Sequence, residues 1–271
     1  MSPSTRPQRQ PSNDASRSEP RSADGRPDEV RHRNRIDSDP PTTDPDHTPG
    51  VRVQPDGPYL VRDTPLVRRR EVLSENGEPM TWQTVEWVDT RAVYALCRCG
   101  GSANKPFCDG THAKNGFDGT ETASTETYEA RARTMPGTGI VVRDDRSICE
   151  HAGFCGNKRT NVWDMLGGSG TEDSIIRMQL MAMIERCPSG ALTFRVAEDQ
   201  PDIEADLRRE IGVVDDGPLF LSGGVGVTLS DGTQHEIRNR VTLCRCGASK
   251  NKPLCDGSHR QVGFHDAASS A

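Results

Sequence analysis

The sequence is poor in the residues that build a large apolar core. Only 32% of its 271 residues are hydrophobic and 4% are aromatic, and one large core normally needs more of both. The chain also has no apolar run long enough to cross a membrane and no N-terminal signal-peptide core. We therefore expect small soluble domains in the reducing cytoplasm, where clustered cysteines are more often metal or redox ligands than disulfides.

Motifs for nucleotide and flavin chemistry are missing as well. The sequence contains no Rossmann glycine fingerprint, no P-loop and no flavin motif. The net charge of -6 gives no reason to expect nucleic acid or an anionic membrane as a partner. A non-enzymatic protein that works with another protein is therefore expected over a catalyst.

What the sequence does contain is one stretch rich in cysteine that occurs twice. It runs from Cys97 to His112 and again from Cys244 to His259, where it reads C-R-C-G-A-S-K-N-K-P-L-C-D-G-S-H. Three thiolates and one imidazole suit either zinc or an iron-sulfur cluster, and the spacing alone does not choose between them. The expected ligands are Cys97, Cys99, Cys108 and His112 in the first copy, and Cys244, Cys246, Cys255 and His259 in the second.

The second half of each copy predicts the start of a helix. Cys255 and His259 are four residues apart, the spacing that puts two side chains on one face of a helix. Asp256 is suited to cap that helix, and Asp109 holds the same place in the first copy. Each aspartate is therefore predicted to cap a helix and to contact the metal ligands at the same time.

A third group of cysteines lies between the two copies. Cys149, Cys155 and Cys187 match the first, third and remote positions of a bacterial-type ferredoxin motif, in which the remote cysteine precedes proline, and Ala152 occupies the second position. One cluster at most is expected here. It is either a [3Fe-4S] cluster on three cysteines or a four-iron cluster with His151 or solvent as its fourth ligand. A ferredoxin-like fold without a cluster, or with zinc, stays open.

The repeated stretch resembles the mitoNEET-like CDGSH iron-sulfur family. Both copies match its signature, C-x-C-x2-S-x3-P-x-C-D-G-[ST]-H, at every defined position. The resemblance covers residues 51–118, here called the first repeat, and 214–265, the second repeat. It implies one [2Fe-2S] cluster per copy, with the C-x-C pair on one iron and the later cysteine and histidine on the other. Family members with one copy pair as homodimers, so the two copies of this chain can pair internally.

Residues 139–196, here called the middle segment, resemble the divergent single-cluster ferredoxin family through C-E-H-A-G-F-C and C-P-S-G-A-L. That family is usually described as [4Fe-4S] and often carries a histidine two residues after its first cysteine, here His151. Three cysteines with alanine at the second position are instead the pattern of [3Fe-4S] ferredoxins that feed electrons to monooxygenases. The resemblance therefore leaves both cluster types open.

The predicted fold class is α+β, with two β-rich CDGSH units around a ferredoxin-like α+β unit. Short apolar segments ahead of each motif predict strands, and the extra residues of the first copy predict a hairpin at Asn76-Gly77. In the middle segment, residues 172–186 predict a helix with apolar positions. These positions are Ile175, Ile176, Leu180, Met183 and Ile184.

Two regions are expected to lie outside the folded units. Residues 1–49 are rich in Pro, Ser, Arg and Asp and are predicted to be a disordered tail. Residues 197–213 are predicted to be a linker, within which the acidic stretch 198–210 is suited to a surface helix.

Three metal sites in one chain predict electron transfer with a partner protein, a reductase or an oxidase. An alternative is an iron-sulfur carrier, or a redox or iron stress sensor, that hands clusters to an apo-protein. A third candidate is an interaction module stapled by zinc, which would contain no sulfide.

Overall fold

The protein has the α+β fold class that the sequence predicts. The structure is a computed structural model and describes residues 48–266, so the predicted tail lies outside it apart from its last two residues. None of the helices described has the length and apolar character needed to cross a membrane.

The strands are β1 Gly50–Val53, β2 Tyr59–Arg62, β3 Leu66–Leu73, β4 Pro79–Val88, β5 Val93–Leu96, β6 Arg133–Gly137, β7 Ile140–Asp144, β8 Leu192–Arg195, β9 Glu210–Val214, β10 Leu219–Ser222, β11 Val227–Thr228 and β12 Arg240–Leu243. The α-helices are α1 Tyr128–Arg131, α2 Val162–Leu166, α3 Ser174–Glu185 and α4 Ser258–Gln261.

The two repeats exchange strands. One sheet has the order β11-β1-β2-β5 and the other has the order β12-β10-β9-β3-β4. In the first sheet β1 pairs in parallel with β11 of the second repeat, with Val51 opposite Val227. In the second sheet β3 of the first repeat pairs in parallel with β9, with Leu66 opposite Ile211. Each sheet is therefore built from both halves of the chain.

One apolar core joins the two sheets. Strands β9, β10 and β12 are buried along their whole length. Two small repeats with few aromatic residues bury too little surface separately, and a shared core reduces that shortfall. The core includes Val51, Val53, Tyr59, Val61, Leu96, Ile211, Leu219, Leu221, Leu243 and Leu254.

The repeats also meet at their ligand loops. Cys99 and Cys246 form an antiparallel β-bridge, and the glycine after each has a left-handed backbone, with φ of 76° at Gly100 and 81° at Gly247. A Cβ on Gly100 would lie 2.4 Å from the carbonyl oxygen of Cys246. A Cβ on Gly247 would lie 2.7 Å from that of Cys99. The close approach of the loops therefore requires glycine at both positions.

The extra residues of the first repeat form the predicted hairpin. Its turn closes through hydrogen bonds from Gly77 N to Ser74 O (2.9 Å) and from Ser74 N to Glu78 O (2.8 Å). β4 is the outer strand of its sheet and lies against the middle segment. There the ring of Trp82 packs on Phe154, with centroids 5.0 Å apart.

The middle segment contributes to a separate three-stranded sheet, β6-β7-β8. The helix predicted at residues 172–186 is confirmed as α3. Leu180, Met183 and Ile184 are buried in a core with the sheet and α2. Ile175 is 66% exposed, so its predicted place on the apolar face is wrong.

The prediction for the acidic stretch before the second repeat is also wrong. Residues 198–210 contain no helix, and residues 210–213 of the predicted linker form β9 together with Val214, inside the five-stranded sheet. Because acidic residues precede it, the stretch resembles an exposed linker, and β9 is not predicted from the sequence. The carboxylate of Glu210 is satisfied inside the fold, because Arg69 Nη2 donates to its Oε1 at 2.5 Å.

Replacing Gly100 with alanine is expected to lower the free energy of unfolding by about 3 kcal/mol or more, because the new Cβ meets the Cys246 backbone in addition to the cost of a positive φ. Gly116 is the matched control. It also has a positive φ, 66°, but nothing lies within 4 Å of an added Cβ, so its alanine variant should lose about 1–2 kcal/mol. Denaturant unfolding measures both, and equal losses would contradict the close contact of the loops.

Candidate metal centres

The predicted ligands of the first repeat form two pairs. Cys97 Sγ and Cys99 Sγ are 3.8 Å apart, and Cys108 Sγ and His112 Nδ1 are 3.4 Å apart. With metal–sulfur bonds of about 2.3 Å and metal–nitrogen bonds of about 2.0 Å, tetrahedral geometry places two donors on one metal about 3.5 to 3.8 Å apart. Each pair is therefore spaced to share one metal atom.

The second repeat has the same geometry. Cys244 Sγ and Cys246 Sγ are 3.7 Å apart, and Cys255 Sγ and His259 Nδ1 are 3.4 Å apart. The backbone N–H of Ala248 donates to Cys246 Sγ at 3.4 Å. Such a bond favours the thiolate form that binds a metal.

The two pairs in each repeat are separate from one another. Among residues 48–266, one group of three potential ligand atoms lies within 4.8 Å of one another, and it consists of Glu150, Cys255 and His259. No three of the four predicted ligands of a repeat come that close together. A single tetrahedral ion needs all four donors about 3.5 to 3.8 Å apart. The side chains are therefore arranged as two pairs rather than around one point.

The two aspartates fix the ligand loops through the same hydrogen bonds. Asp109 Oδ2 accepts from Ala103 N at 2.8 Å and its Oδ1 from Thr111 N at 3.0 Å, and Asp256 makes the equivalent pair of bonds. Hydrogen bonds from Thr111 and Ala103 lower the pKa of Asp109 to about 2. Each carboxylate therefore ties the loop before the third cysteine to the turn that carries the histidine.

The helix of the second repeat begins later than predicted. It starts at Ser258, and its N-cap residue is Gly257, whose φ is 85°. Asp256 lies one residue earlier, and its Oδ1 accepts from Ser258 N at 3.0 Å. Cys255 therefore precedes the helix. The turn at Gly257, and not a helical face, brings its sulfur to His259.

The two sites differ in exposure. Cys255 and His259 are 2% and 4% exposed, whereas Cys108 and His112 are partly exposed. Burial lowers the pKa of His259 to about 4, and nearby arginines add to the effect. The same ligand types therefore have different surroundings in the two repeats.

The middle segment covers the second site. Arg260 Nη1 donates to Glu150 O at 2.9 Å, and Asn251 Nδ2 donates to Ser147 O at 2.7 Å. The backbones approach so closely that a Cβ on Gly257 would lie 2.8 Å from Glu150 O. The first ligand loop of the middle segment is thus in direct contact with the ligand loop of the second repeat.

Glu150 is a candidate that the sequence analysis misses. Its side chain lies with Cys255 and His259 in the group described above, and burial raises its pKa to about 7. Because Glu150 follows Cys149, it joins a ligand segment of the middle site to two ligands of the second repeat. Its position next to Cys149 is the one signal in the sequence, since a single glutamate has no diagnostic spacing.

The three cysteines of the middle segment surround one cavity. Cys149, Cys155 and Cys187 line a space of about 140 Å³ together with His151 and Ala152. Burial raises the pKa of Cys149 and of Cys155. His151 has a left-handed backbone, with φ of 61°, and its N–H donates to Cys149 Sγ at 3.4 Å. The cavity therefore brings together all the residues predicted for this site.

The β3–β4 hairpin of the first repeat contacts two ligand segments of the middle site through Trp82. Trp82 Nε1 donates to Arg186 O at 3.0 Å, immediately before Cys187. The indole ring packs on Phe154, immediately before Cys155. One side chain therefore holds two of the three ligand segments.

A buried arginine separates the first two cysteines in each repeat. Arg98 and Arg245 are each 1% exposed. Arg98 donates to the carbonyl oxygens of Gln54 (3.2 Å) and Gly119 (2.6 Å), whereas Arg245 forms a fully buried ion pair with Asp266 at 2.6 Å. Sequence reasoning misses this difference, because the motif C-R-C does not show where the guanidinium points.

Tyr59 of the first repeat supports the second site. Its hydroxyl donates to Cys244 O at 2.8 Å. The hydroxyl oxygen of Tyr59 also lies 3.1 Å from Pro253 O. Burial raises the pKa of Tyr59, which keeps the hydroxyl protonated. The loop that carries Cys244 therefore depends on a side chain from the other repeat.

Comparison with known proteins confirms the two resemblances. The family described as "Iron-binding zinc finger CDGSH type" matches residues 56–113 and 216–260. The family described as "Divergent 4Fe-4S mono-cluster" matches residues 135–197, between them. Searches of curated proteins and of solved structures found no match.

Replacing Trp82 with leucine is expected to loosen the middle site, because the change removes the hydrogen bond to Arg186 and most of the contact with Phe154. Local stability should fall by about 2 kcal/mol. Amide hydrogen exchange of the segments around Cys155 and Cys187 measures the loss. Trp87 on the same strand is 56% exposed, and its leucine variant should exchange like the parent protein. Equal protection in the two variants would contradict the role of Trp82.

Proposed function

Because the chain is an iron-sulfur protein with two CDGSH-type units on either side of a divergent 4Fe-4S mono-cluster unit, we propose that it carries electrons to or from a redox partner protein. Each repeat binds one [2Fe-2S] cluster through three cysteines and one histidine. The middle segment binds one [3Fe-4S] or [4Fe-4S] cluster. When bound, these clusters supply one-electron redox chemistry.

The division of each ligand set into two pairs supports a [2Fe-2S] cluster over a single zinc ion. The C-x-C pair has the spacing for one metal atom and the Cys-His pair has the spacing for a second. The pairs do not come together as four donors of one ion must. Histidine in place of a thiolate also makes the set less negative, which favours uptake of an electron.

The cavity of the middle segment supports a larger cluster. Its three cysteines are not gathered within 4.8 Å, although they line the same space of about 140 Å³. Three sulfurs that face one cavity at separations larger than one tetrahedral ion requires suit a cluster of several iron atoms. Ala152 leaves one position of the motif without a ligand. His151 lines the cavity and is the candidate fourth ligand of a four-iron cluster, and a three-iron cluster would need none.

The contacts between the ligand loops support an order for electron transfer. The middle loop touches the second repeat at Glu150 and Gly257, and the second repeat touches the first at Cys246 and Cys99. These adjoining loops favour electron transfer between the middle site and the second repeat, and between the second repeat and the first. The partly exposed ligands of the first repeat give that end access to a partner protein.

A second candidate function is donation of a cluster to an apo-protein. The exposure of Cys108 and His112 favours it, because an acceptor thiol can reach these ligands more easily than the buried Cys255 and His259. Under this alternative the cluster of the first repeat leaves first.

Repeated reduction and reoxidation of the cluster-loaded chain separates the two functions. For an electron carrier, the visible absorption should return after each cycle and the iron content should stay constant, also when an apo-ferredoxin is present as acceptor. Transfer of iron and sulfide to the acceptor within the same period would favour the donor, and a colourless protein that contains zinc would rule out both.

Replacing Asp266 with asparagine is expected to raise the reduction potential of the second repeat, because the positive charge of Arg245 then lacks its counter-charge and favours the reduced site. A potentiometric titration followed by electron paramagnetic resonance measures this, with the first repeat as the internal reference. The exposed Asp199 is the control, and its asparagine variant should leave both potentials unchanged. An unshifted second potential in the Asp266 variant would contradict the effect of this ion pair.

A further inference from the structure

Three side chains with different donor atoms converge in the interior next to α4. Glu150, Cys255 and His259 are 2%, 2% and 4% exposed, and one ligand atom from each lies within 4.8 Å of the others. Oxygen, sulfur and nitrogen donors in this combination suit a divalent transition-metal ion such as zinc or ferrous iron. Two of the three belong to the second repeat, and the third comes from the middle segment.

One oxygen of the buried Glu150 carboxylate lacks a hydrogen-bond partner. Its Oε2 is buried and has no hydrogen-bond partner among residues 48–266. The neighbouring Arg260 does not donate to this oxygen: Nη1 donates to the backbone oxygen of Glu150, and Nη2 lies 3.8 Å from Glu71 Oε1. Burial of a carboxylate oxygen without a hydrogen-bond partner is unfavourable. A metal ion at this point would satisfy the free oxygen.

The backbone fixes the direction of this carboxylate. Glu150 O is held by Arg260 Nη1 at 2.9 Å, and Gly257 allows the chain to pass so close that any side chain there would collide with it. The position of Glu150 beside Cys255 and His259 is therefore set by the packing of the middle segment on the second repeat.

We propose that Glu150, Cys255 and His259 bind one divalent transition-metal ion when the second repeat holds no iron-sulfur cluster. The inference rests on the proposed function only in treating Cys255 and His259 as ligands. Binding takes the thiolate, the carboxylate and the neutral imidazole, so the protons of Cys255 and of any protonated Glu150 pass to solvent. The fourth position is open to water, as at other three-ligand sites.

The first repeat has no such third donor. Within the described part of the chain, no other group of three potential ligand atoms lies within 4.8 Å of one another. No third ligand atom therefore lies as close to Cys108 and His112 as Glu150 lies to Cys255 and His259. The second repeat can therefore keep a single ion where the first cannot.

Titration of the full-length, cluster-free chain with Co²⁺ tests the proposal, and circular dichroism confirms that each variant is folded. One cobalt per chain should bind with thiolate-to-cobalt absorption, and Zn²⁺ should displace it. Glu150→Gln should weaken binding by about tenfold or more. Glu75→Gln is the matched control, since Glu75 is an exposed glutamate in the turn of the β3–β4 hairpin, and it should bind like the parent chain.

Three outcomes would overturn the proposal: no cobalt absorption in a folded chain, equal affinity in the parent and in Glu150→Gln, or a loss of binding in Glu75→Gln as large as in Glu150→Gln. None of these outcomes bears on electron transfer, because redox cycling of the cluster-loaded chain measures that function separately.

Discussion

The exchange of strands between the two repeats is the constraint on which the metal sites depend. β1 needs β11 and β9 needs β3 as parallel neighbours, so neither repeat can complete its sheet alone. The C-x-C loops follow directly from β5 and β12 and meet where Cys99 bridges Cys246. A shift in the exchanged strands would therefore move both ligand loops. The apolar core that stabilises the exchange also keeps the two sites at a fixed separation.

Packing of the middle segment then makes two nearly identical motifs unequal. Its loop at Glu150 lies on Gly257 and buries the Cys-His pair of the second repeat, while the corresponding pair of the first repeat is partly exposed. The charges differ as well, since Arg245 is paired with Asp266 and Arg98 donates to backbone carbonyls. One motif used twice therefore provides a buried site and an accessible site in the same chain.

The sequence predicts the parts of the sites that depend on local spacing. The cysteines and histidines fall into the expected pairs because short loops with turn residues leave few conformations. The hairpin at Asn76-Gly77 and the helix α3 also follow from local patterns. Contacts between distant segments could not be predicted in this way. Strand β9 is not predicted because acidic residues precede it. The position of Glu150 at the second site depends on tertiary packing, which the spacing of residues in the sequence does not predict.

The content of iron, acid-labile sulfide and zinc per chain, in protein purified without oxygen, tests whether the chain binds iron-sulfur clusters. Two [2Fe-2S] clusters with one [3Fe-4S] cluster predict about seven iron and about eight sulfide, and a [4Fe-4S] cluster in the middle predicts about eight of each. About four of each would mean that the middle segment holds no cluster and has no part in electron transfer. Zinc with little sulfide would contradict the assignment of iron-sulfur clusters and leave two repeats that each bind zinc.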